Sequence, residues 1–577
     1  MVGRRAGVRR AARSRPRTRR SGAVIRIGNA SGFYGDRFDA WREMLTGGEL
    51  DVLTGDYLAE LTMLILGKDR AKDPSMGYAK TFLRQMEGCL GLAAERGVRI
   101  VTNAGGLNPL GLAGALQSLA ARLGLSMRIG YVEGDALDRS DALTANAYLG
   151  GFGIAAALGG GADVVVTGRV SDASLVVGPA IAHFGWNRDD LDALAGATVA
   201  GHILECGAQA TGGNFSFFTE LPDGGRRPGF PIAEIDSDGS SVITKHQGTG
   251  GAVTVETVTA QLLYEIGAPA YLGPDVATWF DRVRLSADGH DRVRVTGARG
   301  TPPPPTLKVG VNNLGGFRNS MTFVLCGLDI EAKAALVRTQ LTDSVGADGL
   351  EFVLARTDHP DAADTEAASA LLRVYLRDAD PKRAGRAFSA AAVELALASY
   401  PGCTLTTPPG DATPYGVFTA EQVPQSDVEH VAVLLEGART VVPPPVKTEV
   451  VEAYRGPEDE PASSFGATRP APLGAVVGAR SGDKGGDANL GVWARTDRAY
   501  AWLRGWLSIA RLRDLLPETA SLKIERYALP NLRALNFVLP GLLGEGVAAS
   551  TRFDPQAKAL GELLRSRVVD IPAELLP

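Results

Sequence analysis

Asp163-Val164-Val165-Val166-Thr167-Gly168-Arg169-Val170-Ser171-Asp172-Ala173-Ser174 runs an apolar strand straight into a loop of small polar residues. β-branched valines favour an extended, buried backbone, and the polar run that follows cannot prolong it. Three earlier segments repeat the pattern. Val24–Ile27 leads into Gly28-Asn29-Ala30-Ser31-Gly32, Leu50–Leu53 into Thr54-Gly55-Asp56, and Val98–Val101 into Thr102-Asn103-Ala104-Gly105-Gly106. Helix-like stretches separate them. This alternation predicts an α/β protein with a mostly parallel sheet and crossover helices. In such sheets ligands bind at the carboxyl ends of the strands, where this chain places Asn, Thr, Asp, Arg and Gly.

At 577 residues the chain exceeds what one core usually supports. Residues 24–455 read as the α/β body, with a change of texture near 200. A linker is expected over 456–472, and a compact α+β unit over 473–577. Within the body, strands are expected at Lys308–Val311 and Met321–Leu325, and a helix-rich portion follows through about Leu397. Residues 1–22 are set apart as a disordered arginine-rich tail, since the first twenty hold nine arginines and no acid. The formal charge of −5 becomes −14 without those nine. An acidic body argues against broad nucleic-acid binding. Four cysteines lie far apart with no Cys-x-x-Cys pair, which fits a reducing cytoplasm. No run of about 18 uncharged apolar residues appears, so no membrane span is expected.

Several segments together resemble the acyclic terpene utilisation AtuA family. They are Ile27–Asp36, Asp51–Glu60, Thr102–Pro109 and Val166–Ser174 in the body. In the last unit they are Arg480–Gly491 and Leu529–Phe537, which are similar to the family's ferredoxin-like domain. The resemblance implies catabolism of branched, isoprenoid-derived acids as acyl-CoA thioesters or hydroxy acids, by lyase or hydro-lyase chemistry. It also implies an acyl-CoA carboxylase as a partner, and a homo-oligomer is expected. A non-catalytic acyl-CoA-binding or scaffold subunit is the alternative.

Asn103, Gly105, Gly106 and Asn108 suit anion binding at a helix start, or a tight turn in which Asn108 caps the helix that Pro109 opens. Arg169, Ser171 and Asp172 combine a fork-like cation, a hydroxyl and a carboxylate; an Arg169–Asp172 pair beside a cap is the plainer reading. His246 is the best placed of six histidines for proton transfer, though a lone histidine is commonly structural. Asp483, Lys484 and Asp487 crown a glycine-rich hairpin whose density of charge exceeds what a turn needs. Asn29, Asn214 and Asn489 are further substrate-binding candidates. Asp172, His246, Asp483, Lys484 and Asp487 are the expected catalytic groups. Asn103, Arg169 and the glycine-loop amides would cover a developing enolate. No metal ligand set and no cofactor beyond the CoA of the substrate is expected; Asp236–Ser240 lacks the closing acid of a calcium loop.

Overall fold

The computed structural model describes residues 23–452 and 465–577. The expected arginine tail, and the expected linker up to residue 464, lie outside them. The end of that linker, Thr468–Pro472, is a strand paired with Val568–Pro572.

The main sheet has eleven strands, and only its centre is parallel. Val24–Asn29, Val52–Gly55, Arg99–Thr102, Val164–Thr167 and Ile129–Glu133 lie side by side in that order, all parallel. The four predicted strand-to-loop segments are four of these five. The expectation of a mostly parallel sheet needs correction, because antiparallel strands extend it on both sides. Pro231–Asp236 pairs antiparallel with the first strand, and Ser241–Lys245, Val293–Thr296 and Arg284–Ala287 follow it outward. His430–Leu434 and Arg439–Val442 extend the opposite edge. Short hairpins make these additions, and a hairpin reverses the chain where a crossover helix would preserve its direction. Asp236–Ser240 is one such turn: Asp238 Oδ1 accepts from the Ser240 N–H at 2.9 Å.

Val164, Val165 and Val166 have no exposed surface, as strands covered on both faces require. One face carries the helices Ala40–Gly47, Lys80–Arg96 and Pro109–Arg122. The other carries Phe152–Gly159, Ser174–Phe184 and Leu191–Leu204, the last buried almost all round.

The two strands expected at 308–311 and 321–325 are one, and the portion expected to be helix-rich holds two further strands besides its helices. Thr306–Cys326, Ile330–Val345, Leu350–Ala355, Ser369–Asp378, Phe388–Glu394 and Thr404–Leu405 run strand, helix, strand, strand, helix, strand. The first strand lies between the third and the last, which is the split-βαβ plait. The carboxy-terminal unit has strands Val477–Lys484, Asp487–Ala494, Glu525–Leu529 and Ala534–Leu539, the last two adjacent in reversed order. Read from its second strand, this is the same plait with the first strand moved to the front.

The carboxy-terminal unit docks tightly on the body. Trp493 belongs to the body's core and stacks on Phe215 at 6.2 Å. Asn531 Nδ2 donates to the carbonyls of Phe280 and Val283, and Asn536 Nδ2 to that of Gly267, all at 2.7–2.8 Å. Buried amides that satisfy backbone carbonyls across a junction fix its register as well as its area.

Candidate active site at the domain junction

Three of the parallel strands end in polar residues that meet. Asp56 follows the second strand and accepts from Asn103 Nδ2, which follows the third, at 2.6 Å. Asn103 Oδ1 in turn accepts from the Tyr57 N–H at 2.8 Å. Arg169, beyond the fourth, donates to Asp172 Oδ1 at 2.7 Å and to the Leu58 carbonyl at 3.2 Å, and its guanidinium lies 4.1 Å above the Tyr148 ring. Asp135 sits behind it and accepts from the Arg169 N–H and Asn146 Nδ2, both at 2.8 Å. Asn103 and Arg169 are therefore brought together through the loop Asp56–Leu58, both buried, and the Arg169–Asp172 ion pair is formed beside them.

The opposite wall comes from the carboxy-terminal unit. Its first two strands form a hairpin turning at Gly485-Gly486, with Lys484 opposite Asp487. Glycine at 482 is required there: a Cβ would stand 2.3 Å from the Tyr264 ring. That approach lets the hairpin tip reach the crevice, where the Lys484 ammonium donates to the Glu265 carbonyl at 2.9 Å. Lys484 keeps exposed surface although its surroundings are protein, as a side chain on the wall of an open cleft does. Asn489 holds the same segment, accepting from the Glu265 N–H and donating to the Leu263 carbonyl, each at 2.8 Å. Glu265 has φ of +56°, a conformation that costs a non-glycine residue about 1 kcal/mol or more. The two bonds from the hairpin clamp it there.

The remaining groups come from elsewhere in the body. Lys308, on the long strand of the plait, lies 3.6 Å from Glu60 and 4.7 Å from the Tyr148 ring centre. Glu205, after the buried helix, has Oε1 3.0 Å from His202 Nδ1, and His202 packs on Tyr271 and Phe280.

The charges of this cleft oppose one another. Burial works against ionisation of Glu60, but Lys308, Arg169 and Lys484 overcome it and hold its carboxyl below the ordinary value. Asp483 goes the other way: burial first, then Glu265 and Glu60, push it up to about 8. Burial, then Asp172, raises both Asp56 and Glu205. Glu265 is raised by burial, with the neighbouring acids adding to it. Burial lowers His202 to about 4, so its imidazole is neutral near pH 7. Burial, then the nearby Lys308, lowers Lys484. Among the described residues no group of three or more His, Cys, Asp or Glu is arranged to hold a metal ion.

Of the predicted site residues, Asn103, Arg169, Asp172, Asp483 and Lys484 converge here. Others do not reach it. His246 is sealed against the helix Ala40–Gly47, its Nε2 2.9 Å from the Met44 carbonyl, because Gly47 and Gly48 leave room only for its ring. Asp487 accepts from the Gly541 N–H at 2.8 Å and pins the hairpin from outside. Asn108 caps its helix through the Gly111 N–H at 2.9 Å. Gly105 and Gly106 cradle no anion: the N–H groups of Gly106, Leu107 and Asn108 bond to backbone carbonyls, and a Cβ at Gly105 would meet the Thr167 oxygen at 2.4 Å. Ser171 Oγ bonds to Ser174 Oγ at 2.6 Å. Asn214 turns the backbone at φ +54° and offers only its carbonyl, to Arg480 Nη1. Asn29 donates to the carbonyls of Leu204 and Glu205 and so positions Glu205, while Asn489 positions Glu265. Glu60, Tyr148, His202, Glu205, Glu265, Tyr271 and Lys308 escaped sequence reasoning. Glu60 alone had a usable signal, four residues past the Thr54-Gly55-Asp56 loop.

Fold and site together define a two-part crevice protein, in which parallel-strand ends on one side face a plait hairpin on the other. The chain belongs to the acyclic terpene utilisation AtuA family, whose model matches residues 25–434, with the AtuA ferredoxin-like domain matching 471–570. No curated protein and no solved structure matches it.

Proposed function

We propose that this chain is an enzyme of catabolism that moves protons on branched, isoprenoid-derived acyl-CoA or hydroxy-acid intermediates, by lyase or hydro-lyase chemistry. The observation that carries the reading is the pairing of Glu60, held ionised by three cations, with Asp483, held protonated near neutral pH, in one cleft. Carboxyls whose environments drive their pKa values apart are suited to act as base and acid. Glu60 takes the proton from a substrate hydroxyl or an acidic carbon. Asp483 returns one to the departing oxygen or carbanion. Arg169, Lys308 and Lys484 cover the enolate negative charge that develops between these steps. Of the residues expected to be catalytic, Asp172 serves by fixing Arg169. A cytoplasmic location, self-association, an acyl-CoA carboxylase partner and a CoA-bearing substrate belong to the same proposal, supported by the family and by the acidic, cysteine-poor body.

The test is turnover of a panel of branched acyl-CoA thioesters and their 3-hydroxy acids, followed by mass spectrometry. Conversion by the wild type, with loss of about 100-fold or more in Glu60→Gln and in Asp483→Asn, is expected for general base and acid groups. Full activity in both variants would overturn the assignment.

A further inference from the structure

The helix Glu60–Lys72 places its acid in the cleft at the first residue and runs outward from there. Leu61 and Ile65 on it are 42% and 38% exposed, although both are large and apolar. With Lys68 and Lys72 they recur at the three- and four-residue spacing of one helix face. That face leads from Glu60 past two apolar side chains to two amines, about 12 Å and about 18 Å away along the helix.

The far end is a patch of cations without acids. Lys68 Nζ donates to the Pro414 carbonyl at 2.9 Å. Pro414 adjoins Thr413 in the strand Thr413–Pro424, and Thr413 stands opposite Arg318, which has Arg377 opposite it on its other side. The Arg318 guanidinium also donates to a carbonyl, that of Ala548. Asp69, next to Lys68, is taken by Lys80 at 3.0 Å, and Glu545 by Arg377 at 3.0 Å. Among the described residues no carboxylate pairs with Lys68, Lys72 or Arg318. Like charges facing each other across strands are destabilising. Burial, then Arg318 and Lys72, lowers Lys68; burial lowers Arg318, with Tyr415 opposing and Arg377 adding to it. An anion set among these cations relieves their repulsion.

We infer that Lys68, Lys72 and Arg318 hold the phosphate groups of the substrate's carrier, a nucleotide thioester whose extended arm lies along Leu61 and Ile65. This rests on the proton-transfer reading of Glu60 and adds where the CoA-bearing substrate of that reading lies. Between its sulfur and its diphosphate, coenzyme A has two amides and their methylenes, equivalent to about four extended residues or about 13–14 Å. The span from Glu60 to the two lysines, about 12–18 Å, brackets that length. The methylenes and methyl groups of the arm cover Leu61 and Ile65, removing apolar surface from water. The diphosphate reaches Lys68 and the Arg318 fork, which suits two phosphate oxygens.

Coenzyme A and pantetheine, the same arm without phosphates, are titrated calorimetrically into the full-length protein. Coenzyme A should bind about 100-fold more tightly or better, since each hydrogen bond to a charged group contributes about tenfold or more. The difference should shrink as salt rises. Lys68→Gln and Arg318→Gln should each weaken coenzyme A about tenfold or more and leave pantetheine unchanged, whereas Ile65→Asp should weaken both. Labelling of the wild type with acetic anhydride gives a readout that needs no variant: coenzyme A should protect Lys68 and Lys72 but not the exposed Lys523. No binding of coenzyme A, equal affinity for coenzyme A and pantetheine, or unprotected Lys68 and Lys72 would overturn the inference. So would pyrophosphate binding as tightly as coenzyme A, which would make the patch a general anion site. Loss of coenzyme A binding in Lys68→Gln, with full activity of Glu60→Gln and Asp483→Asn, would keep this site and remove the acid–base reading. Unimpaired coenzyme A binding by Lys68→Gln and Arg318→Gln, with Glu60→Gln inactive, would do the reverse.

Discussion

Asn489→Ala tests whether the carboxy-terminal unit builds the site or merely adjoins it. Asn489 has no exposed surface and makes three hydrogen bonds: from the Glu265 N–H, to the Leu263 carbonyl and to Asn536 Oδ1. Alanine leaves all three partners buried and unpaired, at about 1–3 kcal/mol each. Release of the left-handed Glu265 returns about 1 kcal/mol, and Asn531 and Asn536 still anchor the junction through Phe280, Val283 and Gly267. A net loss of about 2–8 kcal/mol is therefore expected in urea denaturation. Amide exchange should accelerate at 263–267 before it does in the parallel strands. Turnover should fall with it, because Glu265 and the hydrogen bond to Lys484 lose their clamp. A loss below about 1 kcal/mol, with protected amides at 263–267, would show that the hairpin is not what holds that segment.

Asp483 keeps its proton in the folded state up to about pH 8, against an ordinary 3.8. The unfolded chain gives that proton up first, so this group's contribution to stability falls as pH rises through that window. Asp483→Asn should therefore match the wild type at pH 4 and exceed it at pH 9 by about 2 kcal/mol, a figure discounted for the water that reaches the cleft; equal melting temperatures at both pH values would refute the assignment. Glu265→Gly removes a strained backbone and a buried acid, so thermal melting should show a gain of about 1 kcal/mol, while kinetics should show activity lost; a drop in stability would mean the segment is not strained. His246→Ala deletes the contact to the Met44 carbonyl and should cost about 1–3 kcal/mol in denaturation. It should leave the pH profile of turnover unchanged, and a displaced profile would return His246 to the chemistry.

Local physics made part of this protein legible. Val164–Val166 must be a buried strand because three consecutive β-branched residues suit little else, and its polar continuation must lie at the strand's end. That argument places Asn103 and Arg169 together with no knowledge of the rest of the chain. The hairpin's surplus of charge at Asp483 and Lys484 was equally visible, since a turn needs one or two special residues and this one carries several. What stayed hidden depended on partners distant in sequence. Whether a strand joins a sheet parallel or antiparallel is decided by how the chain returns to it, so the flanking hairpins turned an expected parallel sheet into a mixed one. His246 and Glu265 show the same limit from opposite sides. The residue with the suitable intrinsic pKa is sealed under two glycines, whereas an unremarkable glutamate becomes part of the site because an asparagine more than two hundred residues away holds its backbone. Strand propensity acts over a few residues; burial, field and strain are set by whatever the completed fold brings within reach.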